Sequence, residues 1–134
     1  MIVADANLIA YLVMPGERTS EAEAVLAKDP TWAAPTLWRS EILSVVHKYV
    51  MRGDLTVARA VALLAQADEI LGGREADVDS QQVLELASRS RCTTYDCEYV
   101  ALAESLDVPL VTTDRAVLKA FPARATTPAS FVGE

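Results

Sequence analysis

The sequence has two cysteines and one histidine among its 134 residues, and each scarcity closes off a kind of chemistry. Cys92 and Cys97 stand five positions apart around an expected helix start. A disulfide there is out of place in a reducing compartment. Two thiols without further Cys or a neighbouring His do not make a zinc site, so both read as small hydrophobes. His47 is the only base available for a Ser-His-Asp arrangement, and nothing around it completes one. It lies one position beyond the apolar stripe of its helix and reads as structural or surface. No apolar run approaches the ~20 residues of a membrane span. The start, "MIVADANLIAYLV", lacks the basic opening and small-residue cleavage site of a secretion signal. The expected location is the cytosol, away from any membrane.

Positive charge is also short: 12 Lys and Arg face 19 Asp and Glu, a net charge of −7. Proteins that bind nucleic acid are usually basic, so this balance stands against such a role unless the acids have a purpose of their own. What is plentiful is apolar residues, 51% of the chain, with charge spread evenly. Disorder is excluded, and the length suits a single compact domain over 1–134 with a sizeable core.

Strand and helix signals alternate. "MIVAD" (1–5) reads as a short buried strand ending on an acid, followed by a short helix, "ANLIAYLV", closed by Pro15-Gly16. Residues 20–28 form an amphipathic helix with Ser20 as its expected cap, and "TWAAP" (31–35) a second strand. Thr36 opens a helix running to Gly53, and residues 54–71 make a long helix stopped by Gly72-Gly73. "ADVD" suggests a third strand and "SQQVLELASRS" a helix capped by Asp79. Residues 93–107 form a helix whose start is marked by Thr94. "VPLVTTD" (108–114) is another strand ending on an acid, "RAVLKAF" a brief helix, and "RATTP" an edge strand before the tail. This alternation predicts a three-layer α/β/α sandwich around a central, mainly parallel sheet of four to five strands. No repeat, low-complexity tract or linker interrupts it.

In open parallel sheets the working site lies at the carboxyl ends of the strands, and Asp5 and Asp114 stand there. Asp96 opens a helix and shares a face with Tyr99, Val100 and Ala103. Glu41 lies within the apolar arc made by Leu37, Trp38, Ile42, Val45, Val46 and Tyr49, where a carboxylate is costly unless something pairs with it. Glu98 falls on the opposite side of its helix and stays outside the set. Each acid alone has a plainer role: the three aspartates as helix caps or Asx turns, Glu41 in a buried ion pair with an arginine such as Arg91. Together they suggest a pocket whose carboxylates repel unless a cation is present. Oxygen ligands without His or Cys suit Mg2+ or Mn2+. Asn7 and Thr112 are neutral oxygen-bearing neighbours that would orient ligands or water.

"VADAN" at the first strand, the inward Glu41, "YDCEYVALAE" and "LVTTDRAVLKAF" together resemble the PIN domain, and within it the VapC-type toxins of bacterial toxin–antitoxin pairs. The resemblance covers nearly the whole chain, in order. It implies a ribonuclease dependent on one or two Mg2+ or Mn2+ ions. Asp5 and Asp96 would be principal ligands, Glu41 and Asp114 would complete the acidic pocket, and Asn7 and Thr112 would support it. It implies phosphodiester hydrolysis by metal-activated water, leaving a 5′ phosphate and a 3′ hydroxyl. It also implies a homodimer held inactive by a small antitoxin. Setting four acids of the 19 aside leaves 15 against the 12 basic residues, so RNA contact needs only a local patch. Arg39, Lys48, Arg52, Arg115 and Lys119 are candidates.

Two rivals meet specific obstacles. A haloacid-dehalogenase-like phosphatase wants a second acid two residues after Asp5, where Asn7 stands. A phosphoacceptor receiver domain wants a late-strand Lys, which the last strands lack. The alternatives left beside a toxin are a non-catalytic PIN-fold binding module and a PIN nuclease of RNA processing outside a toxin–antitoxin pair.

Overall fold

A computed structural model describes residues 1–133. Five strands form one all-parallel sheet in the order β3-β2-β1-β4-β5: β1 (Ile2–Ala4), β2 (Trp32–Pro35), β3 (Glu75–Ala76), β4 (Leu110–Val111) and β5 (Ala125–Thr126). All of β1 is shielded from solvent, as a central strand covered on both faces requires. The chain steps outward from β1 to β2 to β3, then returns across the sheet to place β4 on the other side of β1. The order therefore reverses between β1 and β4, where such sheets open a crevice at their carboxyl ends.

One group of helices packs together: α1 (Ala6–Val13), α2 (Thr19–Lys28), α3 (Trp38–Met51) and α4 (Val57–Leu71). Then come α5 (Ser80–Ser90) and α6 (Thr94–Leu106), packed against each other, with α6 lying across β1, β2 and β4. The α6 helix buries Cys97, Tyr99, Val100, Ala101, Leu102 and Ala103, nearly its whole circumference, because sheet and α5 enclose it. The short α7 (Arg115–Ala120) links β4 to β5, and α8 (Pro128–Gly133) rests on α2. Among the described residues no helix is long and apolar enough to cross a membrane.

The sandwich agrees with the sequence expectation, and several ends do not. The α2 helix starts at Thr19, and Ser20 does not cap it: the Thr19 hydroxyl instead closes the preceding turn, accepting from Gly16 N–H at 2.9 Å and donating to the Met14 carbonyl at 3.2 Å. Thr36 does not cap α3 either, because its hydroxyl donates to Asp77 at 2.9 Å across the β2–β3 ends. Thr93, one residue before the expected Thr94, caps α6 through Asp96 N–H. The third strand is Glu75–Ala76, earlier and shorter than "ADVD", and α8 was not foreseen. Asp79 caps α5 and Gly72, in the left-handed region at φ 54°, ends α4, both as expected.

Candidate active site

Asp5 follows β1 directly, so the pairing of β1 with β4 sets it beside the segment that leaves β4. There it caps α1: its Oδ1 accepts from Leu8 N–H at 2.8 Å. Its Oδ2 accepts from the hydroxyl of Thr112. Thr112 is 1% exposed and, among the described residues, the one residue classed as polar in the buried core. Its oxygen also accepts from Asp114 N–H at 3.0 Å, so a single hydroxyl ties the two strand-end aspartates together. Asp114 caps α7 by accepting from Val117 N–H at 3.1 Å. The cap reading therefore holds for these two residues, and both also line one cavity. A cap commits part of a carboxylate and leaves lone pairs for other partners.

The other two acids arrive on helices. Asp96 lies in the first turn of α6, where the positive end of the helix favours a negative charge. Glu41 accepts a 2.6 Å hydrogen bond from the Tyr99 hydroxyl. Among the described residues no arginine forms an ion pair with it; Arg91 is instead the left-handed residue that ends α5. All four acids line one cavity of about 260 Å³, together with Asn7, Ser44, Lys48, Tyr99 and Thr112. Among the described residues Lys48 is the only cation in that lining. Ser44 and Lys48 follow Glu41 at three- and seven-residue steps, so α3 presents them on the same edge.

Burial pushes the Asp5 carboxyl above the ordinary aspartate value of 3.8, and the charge of Asp114 adds to the rise. The hydrogen bonds from Thr112 and the backbone of Leu8 and Thr113 oppose it. Asp96 is raised for the same leading reason, burial, again with Asp114 contributing. Glu98, outside the cavity, is raised by burial and then by Glu41 and Asp77. These acids therefore strain against one another and against their low-dielectric setting.

Carboxylate, hydroxyl and amide oxygens with no His or Cys are the donors a small hard cation takes, and the mutual repulsion is what such an ion relieves. By this test of donor chemistry and charge, Mg2+ or Mn2+ fits. Among the described residues no three acidic, His or Cys side chains are already gathered into an ion cage. The carboxylates instead turn toward the protein: Asp5 to Thr112, Glu41 to Tyr99 and Asp114 to its helix. Ion binding would have to redirect some of these oxygens.

Of the residues singled out from sequence, Asp5, Glu41, Asp96, Asp114, Asn7 and Thr112 all reach this cavity. His47 is exposed, Cys92 and Cys97 are free thiols, and Glu98 lies in a neighbouring hollow with Asp77. Arg39, a candidate RNA contact from the sequence, is paired in the fold: Glu75 and Asp68 meet its guanidinium at 2.7 and 2.8 Å. Sequence reasoning missed the pairing of Tyr99 with Glu41, although the three-residue step from Asp96 to Tyr99 already placed that ring on the site's face.

The architecture and its switch-point cavity define an α/β protein with a carboxylate-lined site. The pattern of the PIN domain matches residues 2–122, and the chain belongs to that family. It is 30% identical over 128 residues to Ribonuclease VapC3 of Pyrobaculum aerophilum, covering 93% of this chain and 98% of that protein. Its fold is similar to a crystal structure of PAE2754 from the same organism, with TM-score 0.78 and 21% identity over 98% of this chain and 93% of that one. A toxin–antitoxin complex from Klebsiella pneumoniae is also similar in fold, with TM-score 0.67 and 18% identity over 96% of this chain and 98% of that one.

Proposed function

We propose that this chain is a Mg2+- or Mn2+-dependent endoribonuclease, the VapC-type toxin of a toxin–antitoxin pair. One observation carries the reading: acids from four separate elements, Asp5, Glu41, Asp96 and Asp114, share one cavity at the switch point of a PIN-family sheet. The similarity to a VapC ribonuclease along almost the full chain supports RNA as substrate.

In this reading Asp5 and Asp96 are the main ion ligands, and Glu41 and Asp114 complete the charge. A bound divalent ion lowers the pKa of its water and neutralises charge building on the phosphate. The chain's own groups do the rest. Thr112 fixes the rotamer of Asp5, and Tyr99 fixes Glu41. Lys48, on the cavity wall, meets the negative phosphate. The water oxygen bonds to phosphorus, its proton passes to a cavity carboxylate, and the P–O3′ bond breaks. The products carry a 5′ phosphate and, after protonation of the leaving oxygen, a 3′ hydroxyl.

The partner follows from the same reading. The acidic cavity suits a basic side chain of a small antitoxin protein, and the exposed Leu43, Met51, Val57 and Val61 on α3 and α4 suit contact with a second copy of the chain.

Cleavage mapping on total RNA tests the proposal. Mg2+ restores and EDTA stops cleavage, and Asp5→Asn or Asp96→Asn lowers the rate by about a thousand-fold or more, several kcal/mol of transition-state stabilisation. Asn keeps the cap at position 5, so the fold is retained. Cleavage that persists in EDTA rejects the metal dependence, and cleavage that persists in both purified variants rejects these acids as its site. RNA binding without cleavage would leave a PIN-fold binding module.

A further inference from the structure

A second hollow of about 750 Å³ adjoins the acidic cavity and shares Asn7, Val45 and Lys48 with it. Its character is opposite. Arg18, Lys48, Arg52 and Arg59 line it against only two carboxylates, Glu17 and Asp54, on a chain whose net charge is −7. Among the described residues Lys48 and Arg59 form no ion pair, while Arg52 meets Asp54 only at 3.8 Å with both side chains 61% exposed. Such a loose, solvated pair contributes little and leaves the guanidinium free to turn to another anion.

Two tyrosines complete the hollow, and each carries a guanidinium over its ring. Arg18 lies 5.0 Å from the centre of Tyr11, and Arg52 lies 4.5 Å from the centre of Tyr49. Helix α1 supplies Tyr11 and helix α3 supplies Tyr49, so the two stacks stand on opposing elements of the hollow. Basic side chains interleaved with aromatic and guanidinium planes are what single-stranded nucleic acid uses: phosphates take the cations, and splayed bases stack on the planes with little regard to sequence. A duplex keeps its base faces covered and has nothing to offer the stacks.

We propose that this hollow holds the single-stranded RNA next to the scissile phosphate, with a base stacked on the Arg52–Tyr49 pair and the strand passing Lys48 into the acidic cavity. The proposal rests on the nuclease reading for its direction and names the residues that read the substrate as unpaired RNA. Lys48 is the hinge between the two sites, because it alone among the cations lines both.

Binding of a fluorescent ten-nucleotide oligouridylate by an Asp96→Asn chain in Mg2+ tests it apart from cleavage. Tyr49→Leu, at a half-buried position, weakens binding roughly 5-fold to 100-fold if one stacked base is lost. Arg52→Gln, at an exposed position, weakens binding and reduces the slope of log affinity against log salt by about 0.7 for one phosphate contact. The same decamer annealed to its complement binds more weakly than the single strand. Unchanged RNA affinity in both variants, or equal affinity for the duplex, overturns the hollow while cleavage by the parent keeps the nuclease. Absence of cleavage with the binding losses intact does the reverse.

Discussion

Glu75 and Asp96 are both half-buried carboxylates, and the fold shifts their acidity in opposite directions. Glu75 sits at β3 under the two-point grip of Arg39, at 2.7 and 2.9 Å, and also accepts from Trp38 Nε1 at 2.8 Å. Hydrogen bonding from Arg39 is the leading cause that holds it below the ordinary glutamate value of 4.5. Asp96 has no such cation; burial leads and Asp114 adds, and its carboxyl is raised. At β3 the chain brings an arginine to the acid. Around the switch-point cavity the chain brings other acids instead, and Lys48 alone offsets them. That difference, more than the presence of acids, is what supports the proposal of an external cation in the cavity.

Adding the cation should therefore separate the two groups most strongly. With Mg2+ or Mn2+ at a hundredfold excess over its dissociation constant, linkage adds about 2.7 kcal/mol to the stability of the parent chain, a rise in melting temperature on the order of 5–10 °C for a domain of this size. The Asp5→Asn, Asp96→Asn double variant should show almost none of it. Arg39→Ala should retain the full rise, because its partners lie outside the cavity. An equal rise in parent and double variant, measured by calorimetry with and without ion, would place the ion elsewhere and erase the contrast.

Without ion the next effect is smaller and has the other sign. Asp5 has a raised carboxyl, so the fold favours its neutral form. Its contribution is fully present below the ordinary value of 3.8 and is lost as pH rises through the raised value. At neutral pH the ionised group therefore works against the metal-free fold. Asp5→Asn keeps the cap to Leu8 and removes the charge, so the metal-free variant should melt higher than the parent at pH 7. The two should converge below pH 3.8. A variant that melts lower at pH 7 would mean that the hydrogen bonds from Thr112 and Leu8 need the charge more than burial opposes it.

How much of this was readable beforehand depended on how local the signal is. The acids at positions 5 and 114 end apolar runs, and strand ends in a parallel sheet have a known functional side. Glu41 breaks the helical stripe around Ile42 and Val46, a conflict visible in one helix alone. The caps at Ser20 and Thr36 failed because a hydroxyl next to a helix has competitors that only the folded chain supplies: the Met14–Thr19 turn in one case, Asp77 in the other. Tyr99 was legible as a face but not as a partner, since its oxygen meets Glu41 across 58 positions. Arg39 looked like one of several free cations until β3, a two-residue strand too short to carry a pattern, brought Glu75 under it. The basic hollow was legible only in part: Lys48 and Arg52 stood among the candidate cations, but Tyr11 with Arg18 and Tyr49 with Arg52 come from distant segments that only the packing of α1 on α3 brings together.

The smallest effect belongs to Arg39→Ala, and its pH profile is what makes it informative. Glu75 has a lowered carboxyl, so its contribution is present above the ordinary value of 4.5 and is lost as pH falls through the lowered value. The variant should melt slightly lower than the parent at neutral pH, and the gap should close in acid. Asp5→Asn also converges with its parent in acid, but from above. Two carboxylates of one sheet then give stability differences of opposite sign that vanish over neighbouring pH ranges. Arg39 also lies 5.2 Å from the centre of the Trp38 ring and pairs with Asp68 at 2.8 Å. A deficit that persists undiminished at pH 2–3 would therefore assign its role to packing on Trp38, a contact no carboxylate titrates, and would remove Glu75 as the counterexample to the cavity acids.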